Sequence, residues 1–485
     1  MIDTEHWHKL LSGNFPFEPT EGQREVIYAI ARLLSSEKKN CTLILKGYAG
    51  TGKTTLVGTV VKSCVLQKMN TVLLAPTGRA AKIMSLYAQK PAYTIHKKIY
   101  FRKAKNDGNV GLALAPNLHK DTLFLVDEAS MIGGSVGSDA TKSFSYRDLL
   151  EDLLKYVFSG TNCRLILVGD SAQLPPVGSI ESPALDSAKL SSRYGLTAAS
   201  IELTEVMRQA AESGILMNAT EIRNQIRTNT FSFPHFSLDE FNDVHRIDGY
   251  DLQEKLEDCY NKYGPQGVCI ITRSNKRANL FNLQVRSRVF WQEDTPEAGD
   301  LVMIVKNNYY WLKDFKDAPT EFIANGDIGE IQKISRREEM FGLEFADVQL
   351  KLIDYPELPA LEVKVLLDSL STESASMPTD KMISLYAQIE EGYLDLLDKK
   401  KIRDAVMNDP YYSALQVKFA YAVTCHKAQG GQWPAVFIDQ GYLTEEMIDL
   451  EFLRWLYTAF TRSTTELYLV NFSQEFFEQK KELPH

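Results

Sequence analysis

Eight residues, Gly47-Tyr-Ala-Gly-Thr-Gly-Lys53-Thr54, follow an apolar run and lead into a helix-favouring one. Glycines at this spacing let backbone N–H groups close round a phosphate, and the helix start behind them adds a favourable dipole. Lys53 is placed to reach the β- and γ-phosphates of a nucleotide and Thr54 to ligate Mg²⁺. The loop therefore nominates Gly47, Gly50, Thr51, Gly52, Lys53, Thr54 and Thr55 as nucleotide-binding residues, with ATP and Mg²⁺ as cofactors. A second apolar run, Leu123-Phe-Leu-Val, ends in Asp127 and Glu128. Asp127 would hold the metal, and Glu128 would orient and deprotonate an attacking water. Paired acids at a strand end are by themselves a solvated terminus; the loop upstream gives them a chemical meaning. A third run ends in Gly169-Asp170-Ser-Ala-Gln173-Leu-Pro-Pro, where Gln173 is placed to sense the γ-phosphate.

These residues need a scaffold that presents loops at strand ends. The runs 41–46, 71–75, 122–126 and 163–168 have the continuous apolar character of buried parallel strands, with crossover helices predicted near 53–67, 79–89 and 146–157. The alternation resumes at 267–272, 436–439 and 466–470, with helices near 274–290 and 450–461. Between the blocks, 300–305, 329–333, 346–352 and 361–365 have the pattern of antiparallel strands with turns such as Asn325-Gly326, and 380–405 of a charged helical arm. The expected class is α/β. A first motor domain spans 1–195, a second spans 196–297 and 412–485, and a small β-barrel is inserted over 298–411.

A chain of 485 residues fits several domains. No segment approaches the roughly 18 apolar residues of a membrane helix, and no secretion signal opens the chain, so a cytoplasmic protein is expected. The six cysteines are scattered, with no Cys-x-x-Cys pair, and are expected as buried thiols. A net charge of −9 argues mildly against nucleic acid. It does not say where charge sits, and a motor that releases its track repeatedly suits a basic groove on an acidic body.

Taken together, the strings resemble a superfamily 1 helicase of the RecD-like and Dda-like branch over nearly the whole chain. The turn from Gly169 to Pro176 is the decisive one, because a kinase or transporter ATPase has no need of it. The resemblance implies two RecA-like P-loop NTPase domains with an SH3-like barrel between them, and 5′→3′ travel. It places Gln23 of Thr20-Glu-Gly-Gln23 on the adenine base. Thr77 and Gly78 of Ala75-Pro-Thr-Gly-Arg-Ala-Ala-Lys82 would meet DNA phosphates, with His96 near the sugar-phosphate chain. Arg273 and Asn275 would be the second domain's counterpart. Arg208 of Leu203-Thr-Glu-Val-Met-Arg and Arg462 of Tyr457-Thr-Ala-Phe-Thr-Arg would stabilise the transferring phosphoryl group. In Val423-Thr-Cys-His-Lys-Ala-Gln-Gly-Gly-Gln432, Thr424 and His426 would face DNA while Gln429 and Gly430 approach the nucleotide. Lys427 is placed to serve either side; Trp433 either stacks on a base or packs, and packing is the more ordinary role.

In the branch, a hairpin at about 98–121 acts as the strand-separating pin. Here it is basic and aromatic, with the turn Asn106-Asp-Gly-Asn. The loop 133–145 is longer than the pattern requires. The implied activity is ATP-dependent unwinding of single-stranded and forked DNA by a monomer, with single-strand-binding, replication or recombination proteins as partners and no membrane. An RNA-directed ATPase and a motor subunit of a recombination or conjugation complex use the same motifs and are the alternatives.

Overall fold

The computed structural model describes residues 2–104, 110–133, 148–205, 213–238, 241–293, 295–315 and 322–477. The first lobe is built on β1 (Cys41–Gly47), β2 (Asn70–Ala75), β3 (Ala92–Thr94), the hairpin strands β4 (Tyr100–Ala104) and β5 (Val110–Leu114), β6 (Thr122–Val126), β7 (Arg164–Gly169) and β8 (Thr197–Leu203). Six of these form one sheet in the order β3-β2-β6-β7-β1-β8, parallel throughout. Leu43, Ile44, Leu125, Ile166 and Leu167 are almost wholly buried, as strands covered by helices on both faces must be. The hairpin β4–β5 stands apart from that sheet. Its base is tied down by Tyr100, whose buried hydroxyl donates to Asp152 at 2.8 Å, while Phe101 is exposed. The hairpin tip and most of the 133–145 loop lie outside the described residues.

The second lobe contains β9 (Val244–Ile247) and β10 (Val268–Thr272). The chain then leaves through β11 (Leu301–Ile304), β12 (Ile328–Met340), β13 (Leu343–Leu352), β14 (Leu361–Leu366) and β15 (Leu415–Phe419), which close into a barrel. It returns through β16 (Ala422–Thr424), β17 (Trp433–Asp439) and β18 (Ser463–Val470) to complete a parallel sheet in the order β16-β10-β17-β18-β9. The architecture is two RecA-like domains with an inserted small barrel. The charged arm folds as helices Thr379–Glu391 and Lys399–Met407, which pack on the far end of the barrel.

Two expected boundaries move. The first sheet runs past 195 to Leu203, because β8 pairs with β1 along seven residues. The barrel runs past 411 to Phe419, because β15 supplies the strand that closes it against β11. Polar residues interrupt both strands, Thr197-Ala-Ala-Ser-Ile-Glu-Leu203 and Leu415-Gln-Val-Lys-Phe419, so neither shows the continuous apolar run that marks the other buried strands. All six cysteines are buried and free, and among the described residues no helix is long and apolar enough to cross a membrane.

The barrel is anchored by one buried ion pair. Arg286 and Asp300, 1% and 0% exposed, meet at 2.8 and 3.0 Å. The same guanidinium donates to the carbonyls of Glu293 and Thr295 and lies over the Phe419 ring, while the Tyr421 hydroxyl donates to Asp300. Entry and exit of the insertion are thus held by one pair. Arg286→Ala would leave Asp300 buried and uncompensated, a loss of about 3–5 kcal/mol. Urea unfolding should show that loss in the transition containing the second lobe, and an unchanged midpoint would exclude this pair as the anchor.

Candidate active site

The phosphate loop connects β1 to the helix Lys53–Leu66. Gly52 sits at φ +86°, where a side chain is strained, and a Cβ there would lie 2.6 Å from Gln23 Nε2. The loop is braced from within. Thr51 Oγ1 donates to the Tyr48 carbonyl at 2.8 Å, and Lys53 Nζ donates to the carbonyls of Gly47 and Tyr48 at 2.6 and 2.8 Å. Thr54 is exposed at the helix start, with Thr55 partly buried behind it.

Gln23 is placed differently from the adenine-reading expectation. It is 1% exposed; its Oε1 accepts from the Thr20 N–H at 3.1 Å and its Nε2 donates to the Thr51 carbonyl at 3.1 Å. Together with the Thr20 hydroxyl it forms a capping box for the helix Glu21–Ser35. Both ends of its amide are occupied inside the wall of the loop, so Gln23 supports the phosphate site.

Asp127 and Glu128 stand at the end of β6. Asp127 accepts the Tyr87 hydroxyl through Oδ2 at 2.5 Å and the Glu128 N–H through Oδ1 at 2.8 Å, which fixes the plane of its carboxylate. Glu128 adopts φ +50°, a costly conformation for a non-glycine residue and one that turns its side chain into the cleft. Burial pushes its carboxyl pKa up, opposed first by the Arg462 guanidinium. Next along the sheet, burial likewise raises the Asp170 pKa, and Lys53 opposes it. Gln173 is 7% exposed, and its buried Oε1 has no hydrogen-bond partner among the described residues.

The second lobe closes on this surface through the helix Leu450–Phe460. Arg462, just beyond it and 3% exposed, reaches to 3.8 Å from Glu128 Oε1 while donating to the carbonyls of Thr458 and Gly431. The Tyr457 hydroxyl donates to Asp170 at 2.7 Å and accepts the Ala49 N–H at 3.0 Å. The Leu174 N–H donates to Thr458 Oγ1 at 2.9 Å, and Gln429 Nε2 donates to the Leu174 carbonyl at 2.7 Å. Gln429 was expected beside the nucleotide; its buried amide instead grips the first lobe's backbone. Gly430 lies against the first lobe, its Cβ position 3.0 Å from Thr77 Oγ1. Arg208 lies outside the described residues.

The residues expected on the nucleic-acid strand divide between two places. Thr77 caps the helix Gly78–Ala88 by accepting the Ala80 N–H. That helix start is covered by the barrel: the Gly78 Cβ position lies 2.6 Å from the Tyr355 hydroxyl and 3.1 Å from Asp327 Oδ1, and Lys82 Nζ donates to the Ile353 carbonyl. Arg79 stacks on Trp433 at 3.9 Å and donates to the Gln432 carbonyl, so Trp433 has a packing role between lobes. His96 packs between Tyr100 and Phe322, and burial lowers its pKa, which keeps the ring neutral near pH 7. On the second lobe, Arg273, Thr424 and His426 line one cavity of about 430 Å³ with Phe452 and Trp455. Asn275 faces Thr424, Lys418 and Lys427 in an adjoining hollow. Burial pushes both lysines down to about 8, with Lys427 adding to the effect on Lys418.

Tyr457, Asp170, Tyr87 and the Leu174 backbone had no expected role. Three of the four lie inside or beside strings already singled out, which was the only signal available.

Residues 19–235 match the family described as AAA domain, and residues 419–470 match the UvrD-like helicase C-terminal domain. An uncharacterised protein of Acanthamoeba polyphaga mimivirus is 21% identical, covering 87% of this chain and 94% of that one. The ATP-dependent DNA helicase dda of Enterobacteria phage T4 is 25% identical over 66% of this chain and 68% of its own. The ATP-dependent RecD2 DNA helicase of Deinococcus radiodurans is 33% identical over 36% of this chain and 21% of its own. A Pif1 helicase from Bacteroides, solved with ADP-AlF3 and single-stranded DNA, aligns over 96% of this chain and 95% of that one, at 16% identity and a TM-score of 0.45.

Gln23→Ala separates bracing from base reading. Removing its amide orphans the Thr51 carbonyl and the Thr20 N–H, so stability should fall by about 1–3 kcal/mol in denaturant unfolding. A base-reading residue would leave stability unchanged and alter the preference for ATP over GTP.

Proposed function

We infer that this chain, a superfamily 1 helicase of the RecD-like and Dda-like branch, is an ATP-driven motor that travels 5′→3′ on single-stranded DNA and separates duplex. The observation that carries the reading is the approach of Arg462 on one lobe to Glu128 on the other, 3.8 Å apart over the phosphate loop. An arginine held there, beside a carboxylate suited to activating water, is the arrangement that phosphoryl transfer between two lobes requires.

The chemistry follows from groups already in place. Lys53 exchanges its own loop carbonyls for the β- and γ-phosphates of ATP, and the N–H groups from Gly50 to Thr55 enclose them. Glu128, whose pKa burial raises, accepts a proton from the attacking water. Gln173 Oε1, without a partner among the described residues, offers a second acceptor to that water. Arg462 turns from Glu128 toward the oxygens on which charge develops, with Arg208 as the expected second cation. The hydroxyl of Thr54 and the carboxylate of Asp127 are hard oxygen donors that fit Mg²⁺, which would neutralise phosphate charge when bound. Asp127 is held in one orientation by Tyr87, as a metal ligand needs.

Arg273, Asn275, Thr424 and His426 form the second lobe's grip on the strand, and Thr77 with Gly78 the first lobe's. Because the barrel turn around Asp327 and Tyr355 lies over Gly78, a strand reaches that helix start only when the turn lifts. Forked DNA suits the hairpin at Phe101, and a single chain carries every part, so we take the active form to be a monomer.

Strand displacement tests the reading. Duplex with a 5′ single-stranded tail should be opened in the presence of ATP and Mg²⁺, and duplex with a 3′ tail should not; the reverse preference would overturn the polarity. Lys53→Ala should abolish opening, and Glu128→Gln should bind ATP while hydrolysing roughly 10²–10⁴-fold more slowly.

The lysine pair adds a pH dependence. A depressed ammonium is charged only below its pKa, so the positive charge of Lys418 and Lys427 is present at pH 7 and lost as pH rises through about 8. Affinity for single-stranded DNA at fixed salt should therefore fall between pH 7 and 9, and Lys427→Met should flatten the decline. A wild-type affinity constant across that range would remove the pair from the interface.

A further inference from the structure

The main chain and the side chain of Tyr48 serve different lobes. Its carbonyl, in the phosphate loop, accepts from Lys53 Nζ and Thr51 Oγ1, both at 2.8 Å. Its ring enters the buried apolar cluster of the second lobe, which includes Ile215, Ala219 and Ile222. Those three residues lie on the helix Gly214–Thr228, which packs on the helix Leu450–Phe460. From the same helix, half-buried Arg223 reaches across to the first lobe. Its guanidinium lies 4.5 Å from the centre of the Tyr48 ring and donates to the Thr204 carbonyl at 3.4 Å. The far end of the ring is held on the first lobe, where its hydroxyl donates to Glu202 at 2.8 Å and Ser171 donates to the same oxygen. Burial raises the Tyr48 pKa to about 12, so the phenol keeps its proton.

A cation above an aromatic face is attracted by the ring quadrupole, more strongly where water is excluded, and the attraction is confined to short range. The contact therefore exists only while the two lobes are close, and it favours that arrangement. A nucleotide touched by Lys53 from one lobe and Arg462 from the other binds the closed arrangement better, so whatever favours closure also favours the nucleotide. We propose that Tyr48 and Arg223 are positioning residues that link the second lobe to the phosphate loop and so raise the affinity for ATP, without taking part in bond making. This inference rests on the ATPase reading and adds to that site a residue, Arg223, that none of the sequence strings contains.

Steady-state ATP hydrolysis in the presence of single-stranded DNA tests the link. Arg223→Gln removes the cation but keeps a long polar side chain. KM for ATP should rise roughly fivefold, the factor for a contact of about 1 kcal/mol, with kcat within about twofold of wild type. Arg223→Lys returns a cation to the ring and should bring KM back toward wild type. Tyr48→Leu keeps an apolar side chain without a π face; it should reproduce the rise, and combining it with Arg223→Gln should add nothing further. An unchanged KM in Arg223→Gln overturns the link, whether or not the melting temperature falls. A loss of kcat approaching roughly 10²–10³-fold also overturns it, because Arg223 would then act on the transferring phosphate itself. Additive effects in the double variant overturn the pairing with Tyr48. If Tyr48→Leu does not fold, the two Arg223 variants decide alone. A wild-type chain that hydrolyses no ATP would remove the ATPase reading itself, whereas normal wild-type hydrolysis with an unaffected Arg223→Gln removes only the link.

Discussion

Two lobes that hydrolyse a nucleotide between them must bury polar groups on both faces of the cleft, and each such group needs a partner. The seam here is met by exchange across the interface. The N–H and C=O of Leu174 are both taken by second-lobe side chains, and Asp170 and Ala49 share one hydroxyl. A buried donor or acceptor left alone costs about 1–3 kcal/mol, so the lobes hold each other closely wherever these bonds persist.

The helix start at Thr77–Lys82 is where three bodies meet. It belongs to the first lobe, the turn at Gly430–Trp433 touches it from the second, and the barrel turns at Asp327 and Tyr355 lie over it. The barrel is itself locked to the second lobe by Arg286 and Asp300. The second lobe and its barrel therefore touch both the cleft and this helix start.

Burial also sets the charge states. Glu128 and Asp170 are raised by desolvation and opposed by Arg462 and Lys53. The chain carries −9 overall, while Lys53 and Arg462 lie beside Glu128 in the cleft and Lys418 and Lys427 beside Thr424. Net charge therefore says little about where positive charge lies, since it sums over the whole chain.

The strings that do chemistry were legible as strings. A phosphate loop, a strand ending in two acids and an arginine in Tyr457–Arg462 depend on the conformation of a few neighbouring residues, which local residue types decide. The two α/β blocks and the barrel followed from apolar periodicity for the same reason. What the chain alone left open were partners distant along it. Ala49 and Tyr457 are 408 residues apart, and Leu174 and Thr458 are 284. Gln23 was placed on a base by resemblance alone, and only packing shows both ends of its amide already engaged. Strands β8 and β15 escaped for a related reason: polar residues interrupt both, so neither shows a continuous apolar run, and pairing with β1 and β11 makes them strands. Residue types determine what a group can donate, accept or bury. Tertiary structure decides which distant group meets it, because burial forces each polar atom to find a partner wherever the fold brings one.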